Sequence, residues 1–372
     1  MRICVFMHRF DDGGAEKVTI RLLNELQQRG HEITLAVRYN EGPAKENLSP
    51  AIRVLDMALP KEGKLKKNLL NIRYLSRLMK SGEYDVLVSI LSDMSQVAAL
   101  AKWSSRAKLP LVSVVHSTLS VEKLTFRKAR NRLARFFDRQ YTKVIAVSDA
   151  VRDDYVNYCG ASEEKVDTVY NPIVDQRMLK LAEEQPDHPW LAEGRDFRTL
   201  VLAGRLSYPK NHPLMLRALK RLRESGDFRL ILLGEGELRE KLTTLAKQME
   251  LENWIDFHGY VKNPYGYMAH ADCVVLSSRY EGLPTVLVEA LACGSRIIST
   301  DCPSGPAEIL VGGKYGTLVE PDNEEALAKG ILTALETRPD KELLRSRAMD
   351  FTVEKATQAF EVQLEKLIQR RG

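Results

Sequence analysis

Residues 279–294 read Arg-Tyr-Glu-Gly-Leu-Pro-Thr-Val-Leu-Val-Glu-Ala-Leu-Ala-Cys-Gly, and this stretch is the most informative in the chain. It contains two glutamates, Glu281 and Glu289, eight positions apart. Pro284 suits the first position of a helix and Gly294 suits its end, which predicts a helix over 284–293. Glu281 then lies just before the helix, whereas Glu289 lies inside an otherwise apolar run.

The predicted helix combines two features of a ligand site. A carboxylate buried without a partner in an apolar run is costly, so Glu289 needs solvent, a cation or hydroxyl donors. The start of a helix collects unpaired backbone N–H groups and a partial positive charge, which favours an anion there. Hydroxyl donors beside a bound phosphate describe a nucleotide sugar. The alternative is a capping glutamate together with a structural ion pair.

Apolar strands alternate with amphipathic helices along the chain, which is typical of parallel sheets covered on both faces. In the first half, strands are predicted at 2–7, 32–38, 84–91, 111–115, 143–147 and 166–169, with a helix at 15–29. In the second half, strands are predicted at 199–203, 229–233, 255–258, 273–276 and 296–299, and helices at 213–224, 238–249, 284–293, 323–336 and 341–369. The fold class is therefore α/β, with two doubly wound domains. A cleft is expected between the carboxyl ends of their strands.

The length of 372 residues also favours two domains, because single cores rarely grow to that size. The polar segment 175–195 breaks the alternation and is predicted to be a linker region. The N-terminal domain is then 1–174 and the C-terminal domain 196–349, with a last helix, about 350–372, packing back on the first domain. Five scattered cysteines show no paired metal spacing, which fits a reduced cytosol.

Charged side chains follow two of the predicted strands. Gly204-Arg205 and Lys210 come after the first strand of the second half. There the arginine fork and the lysine point charge can neutralise a diphosphate, although each alone is more often a surface cation. His116 ends the strand at 111–115, and its place at the predicted cleft favours a ligand contact rather than a general base.

Glycines open the first helix, where Gly13-Gly14 permits close approach of the backbone to a ligand. The Gly-Glu-Gly at 234–236 is not a dinucleotide fingerprint, because Arg239 stands where the third glycine belongs. No phosphate loop ending in Gly-Lys-Ser/Thr, no Ser-His-Asp constellation and no His/Asp cluster with metal spacing is apparent. ATP- or GTP-driven chemistry is therefore not expected.

With these motifs the chain resembles glycosyltransferase family 4, retaining enzymes with two facing Rossmann-like domains, the GT-B fold. The resemblance covers essentially the whole chain. By position, it implies that Arg205 and Lys210 hold the donor diphosphate, that Glu289 binds the ribose hydroxyls, and that Glu281 contacts the transferred sugar. It places His116 near the same sugar. It also implies a set of backbone contacts to the donor, from Gly13, Gly14, Gly259, Tyr260, Val261, Leu283, Pro284 and Thr285.

The implied mechanism follows from charge. Cleavage of the anomeric C–O bond builds negative charge on the departing diphosphate, and preorganised cations with a helix N-terminus stabilise it without a metal or other cofactor. Retention of anomeric configuration is implied by the resemblance alone. Since no carboxylate nucleophile is evident, attack from the same face is expected, with the leaving phosphate taking the acceptor proton.

Basic residues concentrate in two segments of the first half, 61–80 and 121–143. Both predict helices that dock on an anionic membrane and grip a polyprenyl diphosphate, although solvated or core-facing helices are the alternative. The residues assigned to this surface are Lys66, Lys67, Arg73, Arg77, Arg127, Lys128, Arg130, Arg132 and Arg135.

The predicted function is transfer of a hexose or N-acetylhexosamine from a nucleotide sugar, UDP-linked by family frequency, to a lipid-linked glycan or glycolipid. The process would be biosynthesis of bacterial envelope polysaccharide or lipopolysaccharide, at the cytoplasmic face of the inner membrane. No nucleic acid partner is expected. The alternatives are a nucleotide-sugar epimerase of the same fold, a transferase with a soluble acceptor, and a non-catalytic membrane-binding protein.

Overall fold

The computed structural model describes residues 1–11, 13–57, 63–120 and 127–369, without the side chains of residues 64–66 and 127–131. The chain divides into two compact units. Unit 1 consists of Met1–Pro172 and Val353–Gly372, and unit 2 consists of Ile173–Thr352.

Unit 1 is built on a parallel sheet. Within the described residues it has seven strands in the order β3-β2-β1-β4-β5-β6-β7. The strands are β1 (Arg2–Met7), β2 (Glu32–Val37), β3 (Arg53–Asp56), β4 (Val86–Ile90), β5 (Leu111–Val115), β6 (Lys143–Ala146) and β7 (Val166–Thr168). The strands β4 and β5 are buried along their whole length, as expected for a parallel sheet with both faces covered.

Helices flank this sheet. They are α1 (Gly14–Gln28), α2 (Lys64–Lys80), α3 (Ser92–Ser105), α4 (Arg127–Asp138), α5 (Asp149–Cys159) and, from the end of the chain, α14 (Val353–Gln369). The last helix packs on α1. Glu361 of α14 contacts Arg29 at 3.2 Å and His31 at 2.6 Å, so ion pairing adds to the apolar contacts of Phe360 and Leu364.

Unit 2 repeats the architecture, with six strands in the described chain in the order β10-β9-β8-β11-β12-β13. The strands are β8 (Arg198–Ala203), β9 (Phe228–Leu233), β10 (Ile255–Gly259), β11 (Cys273–Leu276), β12 (Ile297–Thr300) and β13 (Thr317–Val319). The helices are α6 (Gln176–Ala182), α7 (His212–Arg223), α8 (Arg239–Gln248), α9 (Pro264–His270), α10 (Thr285–Cys293), α11 (Pro306–Ile309), α12 (Glu324–Leu335) and α13 (Lys341–Ala348).

One apolar cluster of unit 2 joins its sheet to two of its helices. Strand residues such as Leu200 and Leu230 pack with Leu216 of α7 and Leu327 of α12, all of them fully buried. Every strand pair is parallel, so the carboxyl ends of the strands meet at one edge of the sheet. The loops that follow these strands are thereby brought together.

The structure differs from the sequence prediction at two edge strands and at one predicted helix. Strands β3 and β13 were not predicted, because they are short edge strands with few buried residues. The helix predicted at 341–369 is two helices, separated by a tight turn at Met349–Phe351 and an extended Thr352. The carbonyl of the fully buried Phe351 accepts hydrogen bonds from Ile173 N and Val174 N, both at 3.0 Å, which closes unit 2 at this break.

The segment 175–195, predicted as a linker region, lies within unit 2. Its helix α6 packs on α9, and Met178, Ala182 and Leu191 are buried. The polar composition of the segment hid these few apolar contacts. Within the described part of the chain, no helix has the length and apolar character that crossing a bilayer requires.

Candidate donor-binding site

The loops after β8, β9 and β10 interlock at the carboxyl edge of the unit 2 sheet. Gly234 N donates to Gly259 O at 2.7 Å, and Gly204 N donates to Leu233 O at 2.9 Å. A Cβ on Gly234 would lie 2.2 Å from Gly204 O, and its φ of 135° also favours glycine. The Gly-Glu-Gly at 234–236 is therefore a packing element that lets the three loops approach one another.

Lys210 and Glu281 form the centre of the site. Lys210 Nζ donates to Glu281 Oε1 at 2.7 Å, and Ser278 Oγ donates to the same oxygen at 2.6 Å. The side chains of Lys210 and Glu281 are 21% and 12% exposed, so the pair is largely screened from water. Ser277 Oγ also donates to the carbonyl of Lys210 at 2.9 Å, which fixes the loop that carries the lysine. The two serines were not identified from the sequence.

Arg205 differs from Lys210, although both follow β8. Its side chain is 75% exposed, and its Nε lies 3.4 Å from Glu237 Oε2. A surface ion pair of this kind contributes little to stability, and the guanidinium remains accessible to an incoming anion. The structure therefore places one fixed and one exposed cation at the same strand end.

The helix predicted at 284–293 begins one residue later, at Thr285, with Pro284 as the residue preceding it. Gly294 ends it with a φ of 70°, as predicted. No side chain in the described structure caps its N-terminus, so the first backbone N–H groups are available to a ligand. Leu283 and Pro284 are buried and Thr285 is half-buried.

Glu289 lies one turn into α10. Between Val286 and Cys293 it is the one residue of the described helix that is half-buried rather than buried. The residue is therefore partly accessible, while its neighbours fill the core. That Glu289 meets solvent, a cation or hydroxyl donors stays a prediction.

A loop after β12 supports the segment before α10. Ser304 Oγ donates to Glu281 O at 2.6 Å, and Glu281 N donates to Pro303 O at 3.3 Å. Gly305 has a φ of 96°, and a Cβ there would lie 2.4 Å from Pro284 Cδ. In the sequence, the Pro-Ser-Gly-Pro stretch at 303–306 indicates a turn, although no prediction was based on it.

The segment predicted to hold the base begins at the last residue of β10. Gly259 has a φ of 87°, and a Cβ there would lie 2.6 Å from Glu235 Oε1. Tyr260 is 56% exposed and Val261 is half-buried. An exposed aromatic ring at a strand end can stack on a planar base.

The remaining predicted donor contacts belong to unit 1. Gly13 precedes α1 in an extended conformation, and Gly14 is the first residue of that helix. His116 follows β5; its Nε2 is buried, without a hydrogen-bond partner in the described residues. Burial lowers the pKa of His116 to about 4, so the imidazole is neutral near pH 7. A neutral ring suits a hydrogen-bonding contact and not a cationic one.

The structure describes only some side chains of the two basic segments, 61–80 and 121–143. Of the residues assigned to a membrane or acceptor surface, Arg73, Arg77, Arg132 and Arg135 are exposed and Lys67 is half-buried. The side chains of Lys66, Arg127, Lys128 and Arg130 lie outside the described residues.

Unit 2 also contains a histidine cluster that the sequence spacing did not indicate. Asp256 Oδ2 lies 3.0 Å from His188 Nε2 and 2.8 Å from His258 Nδ1. Trp190 N donates to His188 Nδ1 at 3.1 Å, so Nδ1 acts as an acceptor and Nε2 is the ring nitrogen that can donate to Asp256. These hydrogen bonds hold the segment 175–195 against β10.

Both halves of the chain match models of known protein families. The family model described as Glycosyltransferase Family 4 matches residues 12–177, and the one described as Glycosyl transferases group 1 matches residues 185–350. A Campylobacter jejuni enzyme, N-acetylgalactosamine-N,N'-diacetylbacillosaminyl-diphospho-undecaprenol 4-alpha-N-acetylgalactosaminyltransferase, is 28% identical over 353 residues, 93% of each chain. The lipopolysaccharide 1,6-galactosyltransferase of Escherichia coli is 24% identical over 68% of this chain and 66% of that enzyme.

Solved structures show the same fold. The Anabaena protein HepE, crystallised with UDP-glucose, superposes with a TM-score of 0.82 at 23% identity, covering 98% of this chain and 100% of HepE. The lipopolysaccharide outer core galactosyltransferase WaaB superposes with a TM-score of 0.74 at 18% identity, covering 97% and 98%. The two Rossmann-like units are those of the GT-B fold. With both units matched, the chain belongs to the glycosyltransferases of family 4.

Proposed function

We propose that this protein is a retaining, metal-independent glycosyltransferase that moves a hexose or N-acetylhexosamine from a UDP-sugar to a lipid-linked glycan or glycolipid. The observation that carries the proposal is the hydrogen-bonded group of Lys210, Glu281 and Ser278 beside the uncapped N-terminus of α10. A held cation and free backbone N–H groups suit the diphosphate of a donor.

The chemistry follows from these contacts. As the bond from the anomeric carbon to the diphosphate breaks, negative charge grows on the departing oxygen, and Lys210 with the start of α10 stabilises it. Arg205 adds a second cation from the same strand end. Glu289, half-buried on α10, accepts hydrogen bonds from the ribose hydroxyls.

Retention is proposed to occur by attack from the same face. Glu281 Oε1 already accepts hydrogen bonds from Lys210 and Ser278, which makes it a poor nucleophile toward the anomeric carbon. The acceptor oxygen then bonds to that carbon on the face that the diphosphate leaves, and its proton passes to the departing phosphate oxygen. Glu281 positions Lys210 and binds hydroxyls of the transferred sugar.

The acceptor is proposed to be presented at an anionic membrane, with the enzyme peripheral on the cytoplasmic face. Two observations support this. The name of the C. jejuni relative includes a diphospho-undecaprenol, which is a lipid carrier. In unit 1, exposed apolar side chains of α2, α3 and α4 lie among exposed cations; they are Leu69, Leu70, Trp103 and Leu133 with Arg73, Arg77, Lys80, Arg132, Arg135 and Arg139.

These side chains are termed here the basic face, and contacts join the three helices that carry them. Trp103 of α3 contacts Phe136 of α4 with ring centroids 5.8 Å apart. A groove of about 390 Å³, lined by Leu69, Arg73 and Arg77 of α2, also includes Ser104 of α3. Exposed tryptophan and leucine among cations are characteristic of surfaces that bind anionic bilayers.

Transfer should proceed in excess EDTA. The experiment incubates the protein with UDP-glucose, UDP-galactose or their N-acetyl forms and an undecaprenyl-diphosphate-linked glycan, and follows sugar into the lipid extract. We expect a product whose anomeric configuration, read by NMR, equals that of the donor. Cations supplied by the protein replace the metal in stabilising the leaving group, so chelation should leave the rate unchanged.

Three controls separate the alternatives. Loss of transfer in EDTA that magnesium or manganese restores would contradict the metal-free mechanism. Conversion of the donor sugar in the absence of any acceptor would instead identify an epimerase. Equal rates with a short water-soluble acceptor would favour a soluble substrate.

A further inference from the structure

The loop after β2 of unit 1 carries an arginine that is only partly hydrogen-bonded. Arg38 is half-buried, and its Nη2 donates to Asn68 Oδ1 of α2 at 3.2 Å. Its Nε is buried and has no hydrogen-bond partner in the described structure. Burial lowers the pKa of Arg38, but a guanidinium stays charged in proteins. The charge therefore lies in a partly desolvated position with one donor unused.

Two asparagines nearby are also unsatisfied. Asn40, two residues after Arg38, has a buried Oδ1 without a partner among the described residues. Asn71 is fully buried, and neither atom of its side-chain amide has a partner there. It lies three residues after Asn68, on the same face of α2. Buried polar groups without partners are uncommon in native proteins and call for a ligand or an ordered water.

A second cation and an aromatic ring complete the group. Lys67 Nζ lies 5.8 Å from the centroid of the Tyr39 ring, and His8, after β1, contacts that ring edge-on at 5.5 Å. Burial lowers the pKa of His8, which keeps it neutral near pH 7. Asp93 is the acid whose charge acts on Arg38. Two cations against one carboxylate leave a net positive charge at the carboxyl edge of the sheet.

We propose that Arg38, together with Lys67 and Asn71, binds an anionic oxygen group of the acceptor. That group is either a phosphate of the lipid-linked diphosphate or the carboxylate of an acidic sugar, since both accept hydrogen bonds from a guanidinium and from amide N–H groups. The term acceptor rests on the proposed function, whereas the anion site rests on unit 1 alone. Of these three residues, sequence patterns singled out only Lys67.

The test is a calorimetric titration that needs no turnover. The protein is first saturated with UDP, so that a second diphosphate does not enter the donor site. It is then titrated with geranyl diphosphate, with methyl glucuronide, or with geraniol as the uncharged probe. The variants are Arg38→Gln, Arg38→Lys and the matched control Arg53→Gln. The Arg53→Gln variant removes the same charge. Arg53 is exposed and is the first residue of β3, so it lies at the amino ends of the strands, away from Arg38.

We expect Arg38→Gln to weaken binding of one anionic probe by about 10- to 100-fold, the effect of losing charged hydrogen bonds. Arg38→Lys should fall between Arg38→Gln and wild type, because it keeps the charge without the fork. Arg53→Gln should bind as wild type does, and geraniol should not bind measurably. The probe that binds distinguishes a diphosphate from a uronate.

The inference is overturned if wild type binds neither anion, or if Arg38→Gln binds them unchanged. It is also overturned if Arg38→Gln loses UDP affinity and melting temperature along with anion binding, because Arg38 is then structural. A failure to detect transfer with any donor would contradict the proposed function and leave this titration valid.

Discussion

Replacing Lys210 with Ala is expected to lower turnover by roughly 10²–10³-fold, the range for removing one preorganised electrostatic contact. The lysine is held by Glu281 and by the loop anchored through Ser277, so its charge is already in place before the reaction. Its removal leaves the growing charge of the diphosphate without its fixed cation. Glu281→Ala should have a similar effect, because it releases Lys210 and removes a contact to the sugar.

The measurement is the initial rate of sugar transfer at saturating donor, with Lys220→Ala as the matched control. Lys220 is an exposed lysine of α7 in the same unit. The Lys220→Ala variant should transfer sugar at the wild-type rate, and all variants should keep their melting temperature within a few degrees. Transfer by Lys210→Ala at more than a tenth of the wild-type rate would show that the donor site is misplaced.

Reversing three charges of the basic face should abolish binding to anionic vesicles. In the triple variant Arg132→Glu, Arg135→Glu and Arg139→Glu, each lost cation removes about 1 kcal/mol of attraction, and the new carboxylates add repulsion. The combined effect exceeds roughly 100-fold in affinity. The measurement is sedimentation with phosphatidylglycerol vesicles at low salt, because salt screens exposed charges.

A matched variant controls for net charge. Lys220→Glu, Lys241→Glu and Lys247→Glu change the charge equally on exposed positions of unit 2, and vesicle binding should be retained. The basic-face variant should still bind UDP, because the donor site lies in the other unit. Should it sediment as wild type does, α4 does not dock on lipid, and a soluble acceptor becomes the better hypothesis.

The fold was largely predictable because buried parallel strands leave a strong signal. Strand β5 and strand β11 have the predicted bounds, since each is apolar except for Ser113 of β5 and ends at a polar turn. Strands β3 and β13 gave little signal, because an edge strand needs few buried side chains. The break between α13 and α14 was missed because amphipathic spacing continues through 349–352, while hydrogen bonds to a distant segment set the turn.

The sequence predicted which strand ends carry the candidate site, but not which side chains there are hydrogen-bonded to one another. Lys210 and Glu281 each follow a strand, so the sequence placed both at one sheet edge. Their direct hydrogen bond spans 71 residues and has no local signature. For the same reason, spacing alone did not reveal the roles of Ser278 and Ser304 or the pairing of His188 with Asp256.

The central claim is that the carboxyl edge of the unit 2 sheet binds a nucleotide sugar. The most direct measurement is calorimetric titration of UDP, GDP, CDP and ADP in EDTA, on wild type and on Glu289→Ala. We predict saturable one-to-one binding with UDP tightest, and a loss of about tenfold or more in Glu289→Ala, which removes a charged acceptor from the ribose hydroxyls. Absence of binding by every nucleotide, or equal affinity in Glu289→Ala, would contradict it.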